Sequence, residues 1–474
     1  MIWLAVLALL VGSCGPKEPP TPGPEIDSDP VLVAACRHIQ GGGAEVKGGD
    51  GGSIYRVNRL DDSLDPNTGL PAAGTLRYAV TQSGSRRVLF NVAGTIHLTS
   101  ELRIRYGNIT IDGQSAPGEG ICIADYPLVI SASNVIVRFL RVRLGDVSNT
   151  ESDAVSVNNA TGVVLDHLSC SWSVDECVSG YGNSDFTMQY CIVSESLKHS
   201  KHGKGDHGYG GIWGGANASF HHNLLAHHDS RNPRFDHDYV NAKLAGPIDF
   251  VNNVVYNWGT HPAYGGEGST KGAGGRHINF VNNYFKPGPS TADKAKTRLV
   301  EPWTGCENCI VVPGGSVVPP KIYLSGNTMV GSADVTADNW KGSSQTKSVA
   351  GTDSRWTEGL TVLTNEQKAE DVYESVLNKA GCSLQRDAVD TRIIQEVRSG
   401  GGKIIDTQTE VGGWPELKAG EKIADADYDG IPDEWETTYG LDPANPLDAK
   451  ESTLVTGHTN LDVYLCYLVR NLYD

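Results

Sequence analysis

The sequence is short of positive charge and of aromatic side chains. Its 474 residues include 39 Lys and Arg against 56 Asp and Glu, which gives a formal charge of −17. Because general nucleic-acid binding needs a basic surface over a whole face, this balance argues against a nucleic-acid partner. Aromatic residues make up only 7% and charged residues 20%, whereas there are 56 glycines. This composition suits many short strands joined by turns better than a helical bundle.

The apolar run at the N-terminus is too short to cross a bilayer comfortably. Residues 1–13 are apolar and end in small residues before Cys14, although no Lys or Arg precedes them. The run fits the core of a signal peptide, and its end resembles the bacterial lipobox, which implies cleavage before Cys14 and lipid attachment to it. We therefore expect an exported monomer, either secreted or an outer-membrane or cell-surface lipoprotein. It would meet the membrane only through the lipid anchor.

If Cys14 carries a lipid, nine of the ten cysteines remain and at least one is unpaired. Cys306 and Cys309 have CxxC spacing. Such a pair is either a short-loop disulfide of an exported protein or half of a zinc site. Because no second half-site lies nearby in the sequence, we favour the disulfide.

Short β-rich runs that end at an Asn or a Gly recur along the middle of the chain. They begin at residues 108, 134, 162, 185, 218, 248, 278 and 321. The starts are mostly 23 to 32 residues apart, and no long amphipathic helix lies between them. One strand per period of this size indicates a solenoid of stacked coils, whereas a sandwich would need turns about every 8–12 residues.

Four asparagines stand just after predicted strands of this solenoid. They are Asn223, Asn253, Asn283 and Asn327. Asparagines stacked at equivalent corners hydrogen-bond along the stack and tolerate the tight bend, so we expect a ladder. The alternative is that asparagine is merely a common turn residue.

The strand-like pattern of the sequence ends after about residue 340. Residues 365–382 and 386–402 have helical spacing, and the second segment ends in glycines. We expect a partly helical tail that packs back along the solenoid. The expected divisions of the chain are a signal peptide (1–13), a lipidated cysteine with a Pro-rich tether (14–30), the solenoid (31–340), the tail (341–420) and a C-terminal module (421–474).

The C-terminal module contains the acidic stretch "DADYDGIPDEWE" at residues 425–436. It matches the calcium loop of an EF-hand at every ligand position, with Gly430 at the sharp turn. The expected ligands are Asp425, Asp427, Asp429, the Ile431 carbonyl, Asp433 and Glu436. So many carboxylates would repel one another without a cation, so we expect a structural calcium ion; the alternative is a solvated acidic turn.

A local basic segment interrupts this acidic chain. It contains Lys198, Lys201, Lys204, Arg231 and Arg234, together with His199, His202, His207, His221, His222, His227 and His228. A basic patch on an acidic protein usually has an anionic partner. The alternative is a solvated face with scattered histidines.

Three acids stand next to predicted strands, one or two coils before this basic segment. They are Asp153, Asp175 and Glu176. Residues one coil apart are stacked neighbours in a solenoid, so these acids can share a face with Lys204 and Arg231. Carboxylates at one spot suggest a hard metal ion, most simply calcium, and the alternative is a surface ion-pair network.

Several motifs, taken in order, resemble those of the pectate lyases, family 1 of the polysaccharide lyases. Between about residues 45 and 330 they are "GGDGGSIYR", "GTLRYAV", "VLFNVAGTIHL", "ITIDGQSAPGEGI", "DHLSCSWSVDE", "HHNLLAHHDSRNPR" and "NNVVYNWG". The resemblance, with tail segments to residue 474 like those of bacterial members, implies an all-β fold, a right-handed parallel β-helix, with residues 31–340 as its catalytic domain. It also implies calcium-dependent β-elimination of polygalacturonate, the pectin backbone, to unsaturated oligogalacturonides.

The resemblance implies roles for single residues. Arg231, in an R-x-P element, corresponds to the catalytic base. His202 and Lys204, in the stretch "HGKG", correspond to substrate-binding residues, and Lys204 is the lysine that binds the substrate carboxylate. The family often has another arginine three residues beyond this element, where Asp236 stands here. Arg234 is then the candidate for that substrate-binding role.

The resemblance also implies that Asp153, Asp175 and Glu176 hold the primary calcium ion. The family often has a further acid four residues after the first acid of the pair, and Ser179 occupies that position here. The ligand set of this chain therefore departs from the family pattern.

Three other functions compete with a lyase. A polygalacturonate hydrolase on the same fold needs two carboxylates that flank the bond, but Asp175 and Glu176 are adjacent and would point to opposite faces of a strand. A non-catalytic glycan-binding protein gives no reason for acids and cations to coincide. A zinc enzyme would use the paired histidines, but adjacent histidines rarely share one metal and more simply stack inside or beside the groove.

Overall fold

The structure is a computed structural model. It describes residues 29–36, 38–236, 246–270, 274–303, 315–343, 363, 366–421 and 423–473. The predicted signal peptide, the lipidation site at Cys14 and the pair Cys306 and Cys309 lie outside the described residues. Among the described helices, none combines the length and apolar character needed to cross a membrane.

Most described strands belong to three parallel sheets, and each coil of the chain adds one strand to each sheet in turn. The first sheet contains Ser53–Val57, Arg86–Phe90, Ile109–Asp112, Val135–Arg138, Thr161–Asp166, Ser184–Gln189, Ala216–His221, Ile248–Val251, His277–Val281 and Lys321–Ser325. The second contains Leu102–Ile104, Leu128–Ile130, Val155–Asn158, Val178–Tyr181, Ile212–Trp213, Arg234–Phe235, Ala263–Gly265 and Val300–Pro302. The third contains Gly94–His97, Ile121–Ala124, Arg141–Arg143, Ser169–Ser171, Ile192–Ser194, Leu224–Ala226, Val254–Tyr256, Tyr284–Lys286 and Thr328–Met329.

This architecture is a right-handed parallel β-helix, which confirms the predicted fold class. The strands are short because corners interrupt them, and single residues in the left-handed region turn the chain there. Asn159 (φ 58°) turns it from the second sheet to the first, and His167 (φ 55°) turns it from the first sheet to the third. Aliphatic side chains such as Val163 and Leu165 point into the core, where they are fully buried. A small antiparallel pair, Gly268–Ser269 with Val317–Val318, lies outside the three sheets.

The predicted asparagine ladder is present at the corner between the first and third sheets. The side-chain amide of Asn223 donates to Asn253 at 3.1 Å, and that of Asn253 donates to Asn283 at 3.1 Å. Asn283 donates in turn to Asn327 at 2.8 Å, and Asn327 to Asn339 at 3.0 Å. All five are buried, so the ladder satisfies polar groups inside the stack, and Asn339 extends it beyond the prediction.

The described helices are Pro30–Cys36, Leu76–Thr81, Ala333–Ala337, Ala369–Lys379, Ala388–Ser399, Asp433–Tyr439 and Asn460–Val469. Short 3-10 turns occur at Gly41–Gly43, Gly113–Ser115, Asp293–Ala295, Asn339–Gly342, Gln408–Val411, Asp448–Lys450 and Arg470–Leu472.

Two of these helices, Ala369–Lys379 and Ala388–Ser399, confirm the helical pattern predicted after residue 340. They pack their apolar faces against the outer side of the third sheet, where Ile192, Leu224 and Val254 are buried beneath them. Polar contacts also join the two parts. Buried Arg143 of the third sheet donates to the carboxylate of Asp387, which caps the second helix, at 2.9 Å.

The two ends of the described chain meet. The first helix, Pro30–Cys36, packs on the last, Asn460–Val469, and a disulfide joins Cys36 to Cys466. Both helices share an apolar cluster with Leu89 of the first sheet. Five other cysteines are buried free thiols inside the molecule: Cys122, Cys170, Cys177, Cys191 and Cys382.

Candidate active site

The acids and Arg231 are carried by segments that lead into strands of the second sheet. Asp153 stands two residues before the strand Val155–Asn158, and Glu176 stands two residues before the strand Val178–Tyr181. Arg231 lies in the segment before Arg234–Phe235, two coils further along. Because these strands lie in one parallel sheet, their leading segments stack at the same edge.

Asp153, Asp175 and Glu176 come together, as the coil spacing predicted. Their carboxylate oxygens lie within 4.8 Å of one another. Asp153 accepts hydrogen bonds from the Ser156 hydroxyl at 2.6 Å and from the Glu176 backbone amide at 3.2 Å. Loss of water raises the pKa of Asp153 to about 7, and the negative charge of Asp175 adds to that effect. Acids crowded in this way fit a hard divalent cation.

Ser179, which stands where the family often has a further acid, belongs to the second sheet beside Ser156. A serine hydroxyl can offer its oxygen to a metal ion but carries no charge. The acidic cluster therefore keeps three carboxylates.

Arg231 is held between an acid and an aromatic ring. Its guanidinium forms an ion pair with Glu176, and its Cζ atom lies 4.3 Å from the centre of the Tyr209 ring. Its backbone is in the left-handed region at φ 58°, before the cis Asn232–Pro233 peptide. Single bridges from Glu176 to Tyr209 and from Tyr209 to Ser230 continue the parallel pairing through these loops. This pairing brings residues 176 and 231 together although 55 positions of sequence separate them.

Two histidines face the carboxylate of Asp175. The Nε2 atom of His202 lies 3.7 Å from one oxygen, and that of His207 lies 3.6 Å from the other. The two rings are stacked, with centroids 3.4 Å apart and planes 15° apart. Nearly parallel rings cannot both direct their lone pairs at one ion, so this geometry fits a support for Asp175 better than a zinc site.

His207 was not among the predicted site residues, although it follows His202 by five positions in the same loop. Lys204 lies between them in sequence and its side chain is exposed, while its backbone amide donates to His202 at 3.1 Å. This loop thus carries an exposed lysine between two histidines whose side chains are buried.

Arg234 is already paired. Its Nη2 atom donates to the buried Glu267 carboxylate at 2.6 Å, and its Cζ atom lies 4.7 Å from the centre of the Trp303 ring. Asp236, at the position where the family often has an arginine, forms a buried ion pair with Arg276. Arg234 therefore supplies a fixed cation whose charge Glu267 partly offsets.

The remaining histidines of the basic segment include several that are structural. His222 stacks on Tyr190 at 4.7 Å, and burial lowers its pKa to about 4. His228 hydrogen-bonds the Ser196 hydroxyl at 2.6 Å and the Val193 carbonyl at 2.9 Å, and burial lowers its pKa to about 3. Both side chains are buried and hold stacking or hydrogen-bonding partners, which suits a structural role better than a zinc ligand.

The acidic loop at residues 425–436 brings together most of its predicted side chains. Oxygens of Asp425, Asp427 and Asp429 lie within 4.8 Å of one another, and so do those of Asp429, Glu436 and Asp448. Asp448 lies outside the twelve-residue pattern, and sequence reasoning did not include it.

The chain is similar to known proteins over most of its length. The chain is 33% identical over 459 residues to a probable pectate lyase C of Aspergillus terreus, covering 93% of this chain and 98% of that one. It is 33% identical over 451 residues to a probable pectate lyase C of Emericella nidulans, covering 94% of each. No family model matches the chain.

The chain is also similar in structure to solved proteins. A cedar pollen allergen, jun a 1, has a TM-score of 0.46 and 17% identity, covering 72% of this chain and 92% of that one. A pectate lyase from Bacillus sp. N165 in complex with trigalacturonate has a TM-score of 0.44 and 16% identity, covering 72% and 98%. The assignment depends on the sequence relatives, which match this chain over nearly its whole length: it belongs to the pectate lyase family of polysaccharide lyases.

Proposed function

We propose that this chain cleaves polygalacturonate by calcium-dependent β-elimination, with Arg231 as the base. The observation that carries the proposal is the meeting of Asp153, Asp175 and Glu176 with Arg231 at one edge of the second sheet. The names of its relatives, pectate lyases, support the same substrate.

Asp153, Asp175 and Glu176 would hold the calcium ion. When bound, calcium supplies positive charge that neutralises the carboxylate of a galacturonate unit and makes its α-proton more acidic. Lys204, which is exposed in the loop that carries His202 and His207, would add an ammonium to the same carboxylate. His202 and His207 support Asp175 from below.

Arg231 would remove the proton from C5. The electrons of the C5–H bond then form the C4–C5 double bond, and the glycosidic oxygen leaves C4 with its bonding pair and takes a proton from water. A guanidinium accepts a proton only in its neutral form, so Arg231 must give up its contact with Glu176 before it acts. The ring of Tyr209, whose centre lies 4.3 Å from Cζ, would limit the movement of the arginine side chain by packing against it.

A hydrolase is the less favoured function. It needs two carboxyl groups on opposite sides of the scissile bond, about 5 to 9.5 Å apart. Here one oxygen of each of the three carboxylates lies within 4.8 Å of the others, so the groups converge on one point, which suits a shared cation better than two groups that flank a bond.

The test is incubation of the purified protein with polygalacturonate and calcium. Elimination makes a double bond conjugated with the carboxylate, so ultraviolet absorbance rises with each cut. New reducing ends without that absorbance would indicate a hydrolase. Neither signal, with retained binding of the polysaccharide, would indicate a glycan-binding protein.

We also propose that the protein is exported and carries a lipid on Cys14, on the basis of the small residues that precede this cysteine. Metabolic labelling with a fatty-acid probe tests this proposal, with Cys14→Ser as the control. Equal labelling of both chains would contradict it.

A further inference from the structure

The C-terminal acidic cluster holds a set of buried oxygens that lack hydrogen bonds. Among the buried side-chain atoms without a hydrogen-bond partner in the described residues, six are oxygens of this cluster: Oδ1 of Asp425, Oδ2 of Asp427, Oδ2 of Asp429, both oxygens of Glu436 and Oδ1 of Asp448. Glu436, Asp429 and Asp448 are only 0%, 2% and 5% exposed. A buried carboxylate without a partner is costly, so several at one place call for a cation.

The electrostatics of the cluster are those of crowded, buried carboxylates. Burial, together with the charges of the neighbouring carboxylates, raises the pKa of Asp429 to about 7 and that of Glu436 to about 8. Asp429 belongs to both triads of closely spaced oxygens, so the oxygens form one continuous group.

The structure separates Asp433 from this group. Its Oδ1 atom accepts a hydrogen bond from the Ala426 backbone amide at 2.7 Å, which closes the loop on itself. Asp433 is also the first residue of the helix Asp433–Tyr439. The Asp433 carboxylate, at the ninth position of the loop, therefore holds the loop backbone through a hydrogen bond.

Asp448 reaches the group from a different segment. Its Oδ2 atom accepts from the Asp442 backbone amide at 2.9 Å, and its carbonyl accepts from the Asn460 side chain at 2.8 Å. These two bonds fix the residue while its second carboxylate oxygen, Oδ1, remains without a partner.

We propose that this cluster is a calcium site whose carboxylate ligands are Asp425, Asp427, Asp429, Glu436 and Asp448, with Asp448 in place of Asp433. An all-oxygen set with this much charge suits calcium, which takes six to eight oxygens, better than zinc. The Ile431 carbonyl stays a predicted ligand.

The site would connect three parts of the molecule. Asp425 forms an ion pair with Arg56 in the strand Ser53–Val57, at the start of the first sheet. Asp448 is bonded to Asn460, the first residue of the helix that carries Cys466. A bound ion therefore fastens the C-terminal module onto the first coil, a role independent of the proposed catalysis.

Two matched variants of the full-length protein test the ligand assignment. Asp448→Asn and Asp433→Asn each keep an oxygen that can accept the existing backbone bond, and each removes one charge. We expect Asp448→Asn to weaken calcium binding at this site by about tenfold or more and to abolish most of the calcium-induced rise in melting temperature, because affinity follows ligand charge. Asp433→Asn should change the calcium affinity by no more than about twofold to threefold and should keep most of the calcium-induced rise in melting temperature.

Calcium binding is measured by calorimetric titration of chelator-treated protein, with Asp153→Asn as the background that weakens the groove site. Far-ultraviolet circular dichroism checks that each variant folds. Loss of affinity in Asp433→Asn with retention in Asp448→Asn would overturn the assignment in favour of an ordinary EF-hand loop. A melting temperature that does not respond to calcium in the wild-type protein would overturn the site itself, whether or not the protein proves to be a lyase.

Discussion

Replacing Asn253 with alanine should destabilise the solenoid without slowing catalysis. Asn253 is fully buried and makes four side-chain hydrogen bonds. Its amide donates to the Phe220 carbonyl at 2.9 Å and to Asn283 at 3.1 Å. Its carbonyl oxygen accepts from the backbone and side-chain amides of Asn223 at 2.9 and 3.1 Å.

Each such bond contributes about 1 kcal/mol net, and a partner left buried without a bond costs about 1–3 kcal/mol. Four bonds therefore predict a loss of about 4 kcal/mol in the free energy of unfolding. The ladder lies at the corner between the first and third sheets, away from the acids at the edge of the second sheet, so turnover at low temperature should not change.

The assay is equilibrium unfolding in urea, followed by tryptophan fluorescence. Asn67→Ala is the control, because Asn67 is exposed and such a substitution changes stability by less than about 0.5 kcal/mol. A loss below about 1 kcal/mol in the Asn253 variant would refute the argument that the ladder bonds stabilise the stack.

Four further predictions concern the site and the buried histidines. Arg231→Lys should lower turnover by about a thousandfold or more and keep polygalacturonate binding, because lysine retains the charge but not the guanidinium; a near wild-type rate would remove Arg231 from the base role. Lys204→Ala should raise KM as well as lower kcat, since its ammonium contacts the ground-state carboxylate; steady-state kinetics with unchanged KM would contradict this. A chelator should abolish the ultraviolet signal and added calcium should restore it; activity that persists in the chelator would refute the metal requirement. His222 and His228, whose pKa values are lowered to about 4 and about 3, bind protons more tightly in the unfolded chain, so stability should fall as the pH drops below about 6.5. The loss should be about 2 kcal/mol for each histidine at pH 5, and urea midpoints that stay constant from pH 7 to pH 5 would contradict it.

Much of the fold was predictable because a solenoid repeats. One strand and one corner per period leave a visible pattern, and the corner asparagines mark its phase. The same repetition placed Asp153, Asp175 and Glu176 within reach of Arg231, since residues a whole number of coils apart stack at one edge.

Contacts between loops were not predictable, because loop length varies from coil to coil and carries no period. Tyr209 and His207 reach Arg231 and Asp175 from one long loop, and only the fold shows which side of that loop faces the acids. The exchange of Asp433 for Asp448 has the same origin. A sequence pattern counts positions along one loop and cannot register an acid that arrives from the next segment.

The disulfide between Cys36 and Cys466 can form only after the chain has been made as far as its last helix. Coils of a solenoid need only their neighbours, so they are able to form one after another while the chain is still being synthesised. Cys36, however, must wait for a partner 430 positions later. Four of the five buried thiols, Cys122, Cys170, Cys177 and Cys191, belong to coils that precede Cys466 in the chain, and Cys382 is buried in the tail, so burial keeps all five away from Cys36. Closing a loop of this length costs about 6 kcal/mol of chain entropy in the unfolded state, and a truncated chain cannot close it at all. The bond therefore forms only on a chain that has reached its last helix, and its presence distinguishes finished molecules from fragments.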